Sequence, residues 1–112
     1  MKSSDNTDLL QKAKNYCFLL LKFRVRSEKE LSFRLKKKKF SDEIIKNTLS
    51  FLKERSFIDD NYFAKAWIES RIKKPLGIRR LREELKIKGI DKEIIDGQIQ
   101  DLKKEYREQD IV

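Results

Sequence analysis

The sequence predicts an all-α protein made of two tandem three-helix, helix-turn-helix-like repeats that form an elongated, curved array. Three observations carry this expectation: apolar residues recur at i, i+3, i+4 and i+7, glycine and proline are scarce, and the chain matches itself at an offset of 50 residues. Three glycines and one proline are too few for the many tight turns of an all-β fold. At 112 residues, 42% charged and 38% hydrophobic, the chain has room for one small domain or a short array of repeats.

The offset aligns residues 27–56 with 77–106, with nine identities that include Leu31/Leu81, Leu35/Leu85, Ile44/Ile94, Ile45/Ile95 and Leu52/Leu102. Phe40 pairs with Ile90 and Leu49 with Ile99, so the apolar skeleton is kept while exposed positions drift, as expected of a duplicated packing unit. Upstream, Ala13-x-x-Tyr16 matches Ala64-x-x-Trp67 once the second copy carries one extra residue, placed in the loop around Pro75.

The first helix is expected from about Asp8 to Phe23, with Leu9, Leu10, Ala13, Tyr16, Cys17, Leu20 and Leu21 on one broad face. The second opens at Ser27-Glu28-Lys29-Glu30, a capping-box pattern, and turns Leu31 and Leu35 inward. The third starts near Ser41, where Asp42 and Glu43 complement the helix dipole, and buries Ile44, Ile45, Leu49 and Leu52. In the second copy Asp59 caps a helix bearing Tyr62, Phe63, Ala66 and Trp67, a helix from about Gly77 carries Ile78, Leu81 and Leu85, and Asp91 caps the last, with Ile94, Ile95, Ile99 and Leu102. Lys88-Gly89-Ile90 reads as a helix stop; Lys39 stands where Gly89 does, so the first corner is either built differently or strained. The expected division is a flexible N-terminus at 1–8, repeats at 9–57 and 58–106, and an acidic tail at 107–112.

A single cysteine and no histidine leave neither an internal disulfide nor a multi-thiolate zinc site, and no glycine-rich phosphate loop is present. Asp59-Asp60 and Glu83-Glu84 are accounted for by capping and ion pairing. The expectation is therefore no catalytic residue, no metal and no cofactor. The apolar run 16–21 is far shorter than a membrane span, and the polar first residues are unlike a secretory signal, so a cytoplasmic monomer is expected.

Net charge is +9, and it is segregated: residues 22–39 carry +7 and residues 71–88 carry +6, leaving −4 elsewhere. Such clusters attract phosphate or acidic protein surfaces in a salt-sensitive way, although a solvated helix face or C-terminal dipole stabilisation also explains charge runs. The candidate binding residues are Arg24, Arg26, Arg34, Lys36 and Lys38 in the first copy, and Arg71, Lys73, Lys74, Arg79, Arg80, Arg82, Lys86 and Lys88 in the second. The second set is richer in arginine, whose fork holds phosphate bidentately, and is expected to make the tighter contact. The third helices expose a mixed face including Asp96 and Asp101, which disfavours reading base edges and favours backbone or protein-surface binding.

Ser27-x-x-Glu30-Leu31, Phe57-Ile58-Asp59-Asp60-x-Tyr62-Phe63-Ala64, Arg71, and Gly77-x-x-Arg80-Leu81-x-x-Glu84-Leu85-x-x-Lys88-Gly89-Ile90 occur in one order and spacing. Together they resemble the RecX family of regulatory proteins, over nearly the whole stretch from Ala13 to Leu102. The resemblance implies tandem three-helix repeats that bind the groove of the RecA filament on single-stranded DNA. It also implies inhibition of strand exchange, ATP hydrolysis and the co-protease activity that triggers the SOS response, hence a role in homologous recombination and DNA repair. Family members commonly carry three repeats, and two are recognisable here. The expected partners are the RecA filament and single-stranded DNA phosphates within or beside it, with no small-molecule substrate and no membrane. The alternatives are a general helix-turn-helix-like DNA-binding module acting through phosphate contacts, and an adaptor for an acidic protein that ignores nucleic acid.

Overall fold

Among the described residues six helices form where the apolar periodicity calls for them: α1 (Lys2–Phe23), α2 (Glu28–Lys37), α3 (Asp42–Glu54), α4 (Asp60–Arg71), α5 (Ile78–Ile87) and α6 (Lys92–Ile111). This is a computed structural model; it describes the backbone over residues 2–71 and 77–111 and the side chains over residues 7–71 and 77–105, and no strand occurs among the described residues. The chain divides into two three-helix units, Met1–Asp59 and Asp60–Val112, each with its own core. The extra residue expected around Pro75 lies outside the described residues.

In the first unit the capping box at Ser27 forms in full: the Glu30 amide donates to Ser27 Oγ at 3.2 Å, and the Ser27 amide donates to Glu30 Oε1 at 3.2 Å. Two of the amides that the start of α2 leaves without helical partners are thereby satisfied. Leu31 and Leu35, one turn apart, are fully buried and press α2 into a core completed by Ala13, Cys17 and Leu20 of α1 and by Ile44, Ile45, Leu49 and Leu52 of α3. Ser41 Oγ accepts the Ile44 amide at 3.2 Å to open α3, and the buried Thr48 hydroxyl donates to the Ile44 carbonyl at 2.7 Å. Ile58, beyond the third helix, belongs to this core. Burial pushes the Cys17 thiol up to about 11, so it stays protonated and unreactive.

The second unit repeats the plan with Leu81 and Leu85 of α5 buried against Phe63, Ala64 and Ile68 of α4 and against Ile90, Ile95 and Ile99. Four expectations are corrected here. Tyr62 is 60% exposed, because α4 is turned by one residue from the expected face so that Phe63, Ala64, Trp67 and Ile68 point inward. That rotation buries the all-carbon Ile68 and leaves the Tyr62 hydroxyl in water. Ile78, on the opening turn of α5, is exposed, as is Leu9 on α1. Finally, α1 begins at Lys2 rather than near Asp8, there being no glycine or proline upstream to stop it.

The helix-ending corners share one geometry. At α2 the Lys39 amide donates to the Lys36 carbonyl and the Phe40 amide to the Leu35 carbonyl; at α5 Gly89 and Ile90 do the same toward Lys86 and Leu85, and at α3 Ser56 and Phe57 toward Lys53 and Leu52. This Schellman closure needs a left-handed residue at its pivot, supplied by Gly89 at φ 83°, Lys39 at φ 68° and Ser56 at φ 59°. The first corner is thus built like the second and carries the strain that a side chain meets there.

A direct measure of that strain compares Lys39→Gly with Lys39→Ala, which remove the same charge. In urea unfolding followed by far-UV circular dichroism, the glycine variant should be the more stable by about 1 kcal/mol; equal stabilities would mean that the pivot is unstrained.

Candidate functional site

Each buried leucine pair fixes the rotation of its helix, and with it the direction of every other side chain at about 100° per residue. On α2 the side away from Leu31 and Leu35 carries Lys29, Phe33, Lys36 and Lys37, all exposed, while Glu30, Arg34 and Lys38 run along the flank next to α1. On α5 the corresponding outer side carries Arg79, Glu83, Lys86 and Ile87; Arg80, Glu84 and Lys88 lie on the flank next to α4, and Arg82 on the flank next to α6.

In the first unit both carboxylates of α2 are engaged by cations from elsewhere. Glu30 Oε2 holds Arg24 Nη2 at 2.6 Å, and Glu28 Oε1 holds Lys53 Nζ at 3.1 Å. Among the described residues no carboxylate forms an ion pair with Lys29, Arg34, Lys36, Lys37, Lys38 or Lys39, so the end of α2 is a cationic surface without internal compensation. Lys38 Nζ sits 5.2 Å from the centroid of the Tyr16 ring, and Lys37 Nζ 5.4 Å from that of Phe33. Arg26 departs from its expected place on this surface: it is 8% exposed, and its Nε donates to the Leu20 carbonyl at 3.4 Å. It reaches back to the last turn of α1, where carbonyls lack helical partners and the dipole favours a cation. Burial first, then the neighbouring Arg24 and Arg34, hold its pKa below the usual arginine value.

In the second unit the structure gathers Arg71 and Arg80 around one carboxylate, with Lys88 on the neighbouring Trp67 ring. Glu84 accepts a hydrogen bond from Trp67 Nε1 at 3.0 Å, and its oxygens lie 3.6 Å from Arg71 Nε and 3.9 Å from Arg80 Nε. The Trp67 ring stacks on Phe63 and has the Arg71 guanidinium 4.9 Å and Lys88 Nζ 5.2 Å from its centroid. Arg82 is drawn away from this group by a hydrogen-bonded ion pair with Asp96, which holds the Asp96 carboxyl below its ordinary pKa. Lys86 pairs loosely with Glu83 at 3.8 Å, whereas Arg79 is exposed with no carboxylate partner among the described residues. Lys73 and Lys74 lie outside the described residues.

A lysine beside an aromatic ring is therefore common to both units, Lys38 on Tyr16 and Lys88 on Trp67, at equal distance. The matched Ala13-x-x-Tyr16 and Ala64-x-x-Trp67 were the sequence signal for it; for Glu84 the signal was partial, Arg80 four residues before it on α5, since its other partners Trp67 and Arg71 lie on α4. No helix among the described residues is long and apolar enough to cross a membrane, and no group of three or more His, Cys, Asp or Glu among them is placed to hold a metal ion.

Comparison with known proteins gives one consistent result. Residues 13–52 match the sequence pattern of RecX, first three-helix domain, and residues 59–97 match RecX, second three-helix domain. The regulatory protein RecX of Mycolicibacterium smegmatis is 39% identical over 93 residues, covering 82% of this chain and 50% of its own. That of Haemophilus influenzae is 37% identical over 83 residues, covering 73% of this chain and 55% of its own. The chain thus spans about half the length of the curated relatives it matches. A crystal structure of regulatory protein RecX superposes with a TM-score of 0.84 at 24% identity, covering 90% of this chain and 50% of that one, which speaks to the fold alone. RecX from Lactobacillus salivarius superposes with a TM-score of 0.80 at 21% identity, covering 83% of this chain and 61% of that one.

The Arg82–Asp96 pair makes a pH-dependent contribution of definite sign. Because the folded pKa of Asp96 lies below its unfolded value, the contribution is present above the unfolded pKa, about 3.9, and is lost as pH falls through the folded value. Asp96→Asn should lower the melting temperature at pH 7, and its gap to the parent should narrow as the medium is acidified below the unfolded pKa; a gap independent of pH would show that the pair does not stabilise through charge.

Proposed function

The chain belongs to the RecX family of regulatory proteins, and on that premise we propose that it binds the RecA filament on single-stranded DNA and inhibits its ATPase, recombinase and co-protease activities. In this reading the partner is a polymer of protein on a polyanion, met by the basic sides of α2 and α5, and the protein acts as a cytoplasmic monomer without a catalytic step. Occupation of the filament by a bound regulator hinders the subunit rearrangements that accompany ATP turnover. The observation that carries the reading is the uncompensated cationic end of α2, where Arg34, Lys36 and Lys38 face solvent with both local carboxylates already engaged. Free cations release counterions from a phosphate backbone on binding, whereas cations already paired with carboxylates gain less.

The sequence favoured the arginine-rich second cluster as the tighter contact; the ion pairs of Arg71, Arg80 and Arg82 instead shift the proposed emphasis to the first unit. The second reading, a general helix-turn-helix-like DNA-binding module acting through phosphate contacts, draws on the same free lysines. Binding to naked and to RecA-coated single strands separates the two, since a filament regulator prefers the coated form.

Titrated into a RecA ATPase assay driven by single-stranded DNA, the protein should lower turnover. The triple variant Arg34→Ala/Lys36→Ala/Lys38→Ala should lose inhibition about tenfold or more, and Arg79→Ala/Arg80→Ala/Arg82→Ala less, both with parental helicity. An ATPase indifferent to the protein would contradict the proposal.

A further inference from the structure

Phe33 is a large apolar side chain placed where the first unit has no core to fill: it is 60% exposed on the side of α2 opposite Leu31 and Leu35. Its helical neighbours at i−4, i+3 and i+4 are Lys29, Lys36 and Lys37, all exposed and none in an ion pair among the described residues. Lys37 Nζ lies 5.4 Å from the ring centroid, so one cation is already held beside the ring face. Beyond that one contact, an exposed ring flanked by three lysines fills no core position in the unit. Its chemistry suits a ligand that offers a flat, uncharged π-surface next to a regularly spaced anion, which describes an unpaired nucleotide.

We propose that this stripe is a stacking platform for single-stranded nucleic acid, with a base laid on Phe33 and the flanking phosphates held by Lys29, Lys36 and Lys37. The inference deepens the proposed function and rests on it only in taking phosphate as the partner of α2. The second unit supplies an internal contrast. At the repeat offset Phe33 corresponds to Glu83 and Lys37 to Ile87, and Lys86 is paired with Glu83, so the outer side of α5 offers neither ring nor uncompensated lysines at these places. The two units are thereby given different tasks, a stacking contact on α2 and charge contacts alone on α5. An acidic peptide would meet the lysines equally well but has no need of the ring. A duplex presents phosphate with its bases already stacked, and it likewise leaves the ring unused.

The test uses the full chain without RecA, so that failure of the regulatory proposal leaves it intact. A fluorescein-labelled oligothymidylate of about 20 nucleotides and a blunt duplex of equal length are titrated at fixed salt with the parent, Phe33→Leu and Phe33→Trp. Leucine keeps the apolar bulk and removes the π-face; tryptophan enlarges the face. Phe33→Leu should weaken single-strand binding about 5-fold or more while changing duplex binding less than about 2-fold, and Phe33→Trp should bind the single strand at least as tightly as the parent. Far-UV circular dichroism should be the same for all three. Unchanged single-strand affinity in Phe33→Leu, equal losses on the two probes, or no measurable binding of the parent to the single strand would overturn the assignment.

Discussion

Two leucines one turn apart, repeated once, set the terms for everything else in this molecule. Leu31 and Leu35, like Leu81 and Leu85, are almost wholly removed from solvent, and each such side chain contributes roughly 2 kcal/mol by burial. A helix of ten residues has little stability of its own, so the second helix of each unit exists because that pair is covered by its neighbours. Once the pair is buried, the helix cannot rotate without exposing it. The direction of the remaining side chains then follows, which is why the same charge count yields a different surface in each unit.

The difference is electrostatic rather than architectural. Both second helices are basic and both end in the same left-handed closure, yet α2 lends its carboxylates to Arg24 and Lys53, while α5 keeps Glu84 for Arg71, Arg80 and Trp67. Duplication followed by drift at exposed positions has kept the core and redistributed the charge. A repeat that preserves its packing can change what it presents at small cost, because exposed substitutions move stability by about 0.5 kcal/mol or less.

Much of the fold was legible in the sequence because it rests on local rules. The Ser27 capping box, both leucine pairs, the stop at Gly89 and the 50-residue repeat are patterns within one helix or at one fixed offset. What escaped depends on contacts between helices. Arg26 reads as one more cation in a basic run, and only the nearby end of α1 makes it a buried donor to the Leu20 carbonyl. Tyr62 and Ile68 are equally plausible core residues by spacing, and the choice between them is made by the partners of α4. Arg82 appears free until α6 brings Asp96 to it. The family resemblance was likewise readable, since its motif is largely the set of capping, corner and core positions that the fold requires.

The central claim is that the side of α2 turned outward by Leu31 and Leu35 is where the first unit meets its proposed polyanionic partner. Reductive methylation of lysines, quantified residue by residue with mass spectrometry in the free protein and with RecA-coated single-stranded DNA, examines it most directly. The account predicts strong protection of Lys29, Lys36, Lys37 and Lys38 and little change at Lys53, Lys103 or Lys104. Protection spread evenly over all lysines, or confined to α3 and α6, would contradict it.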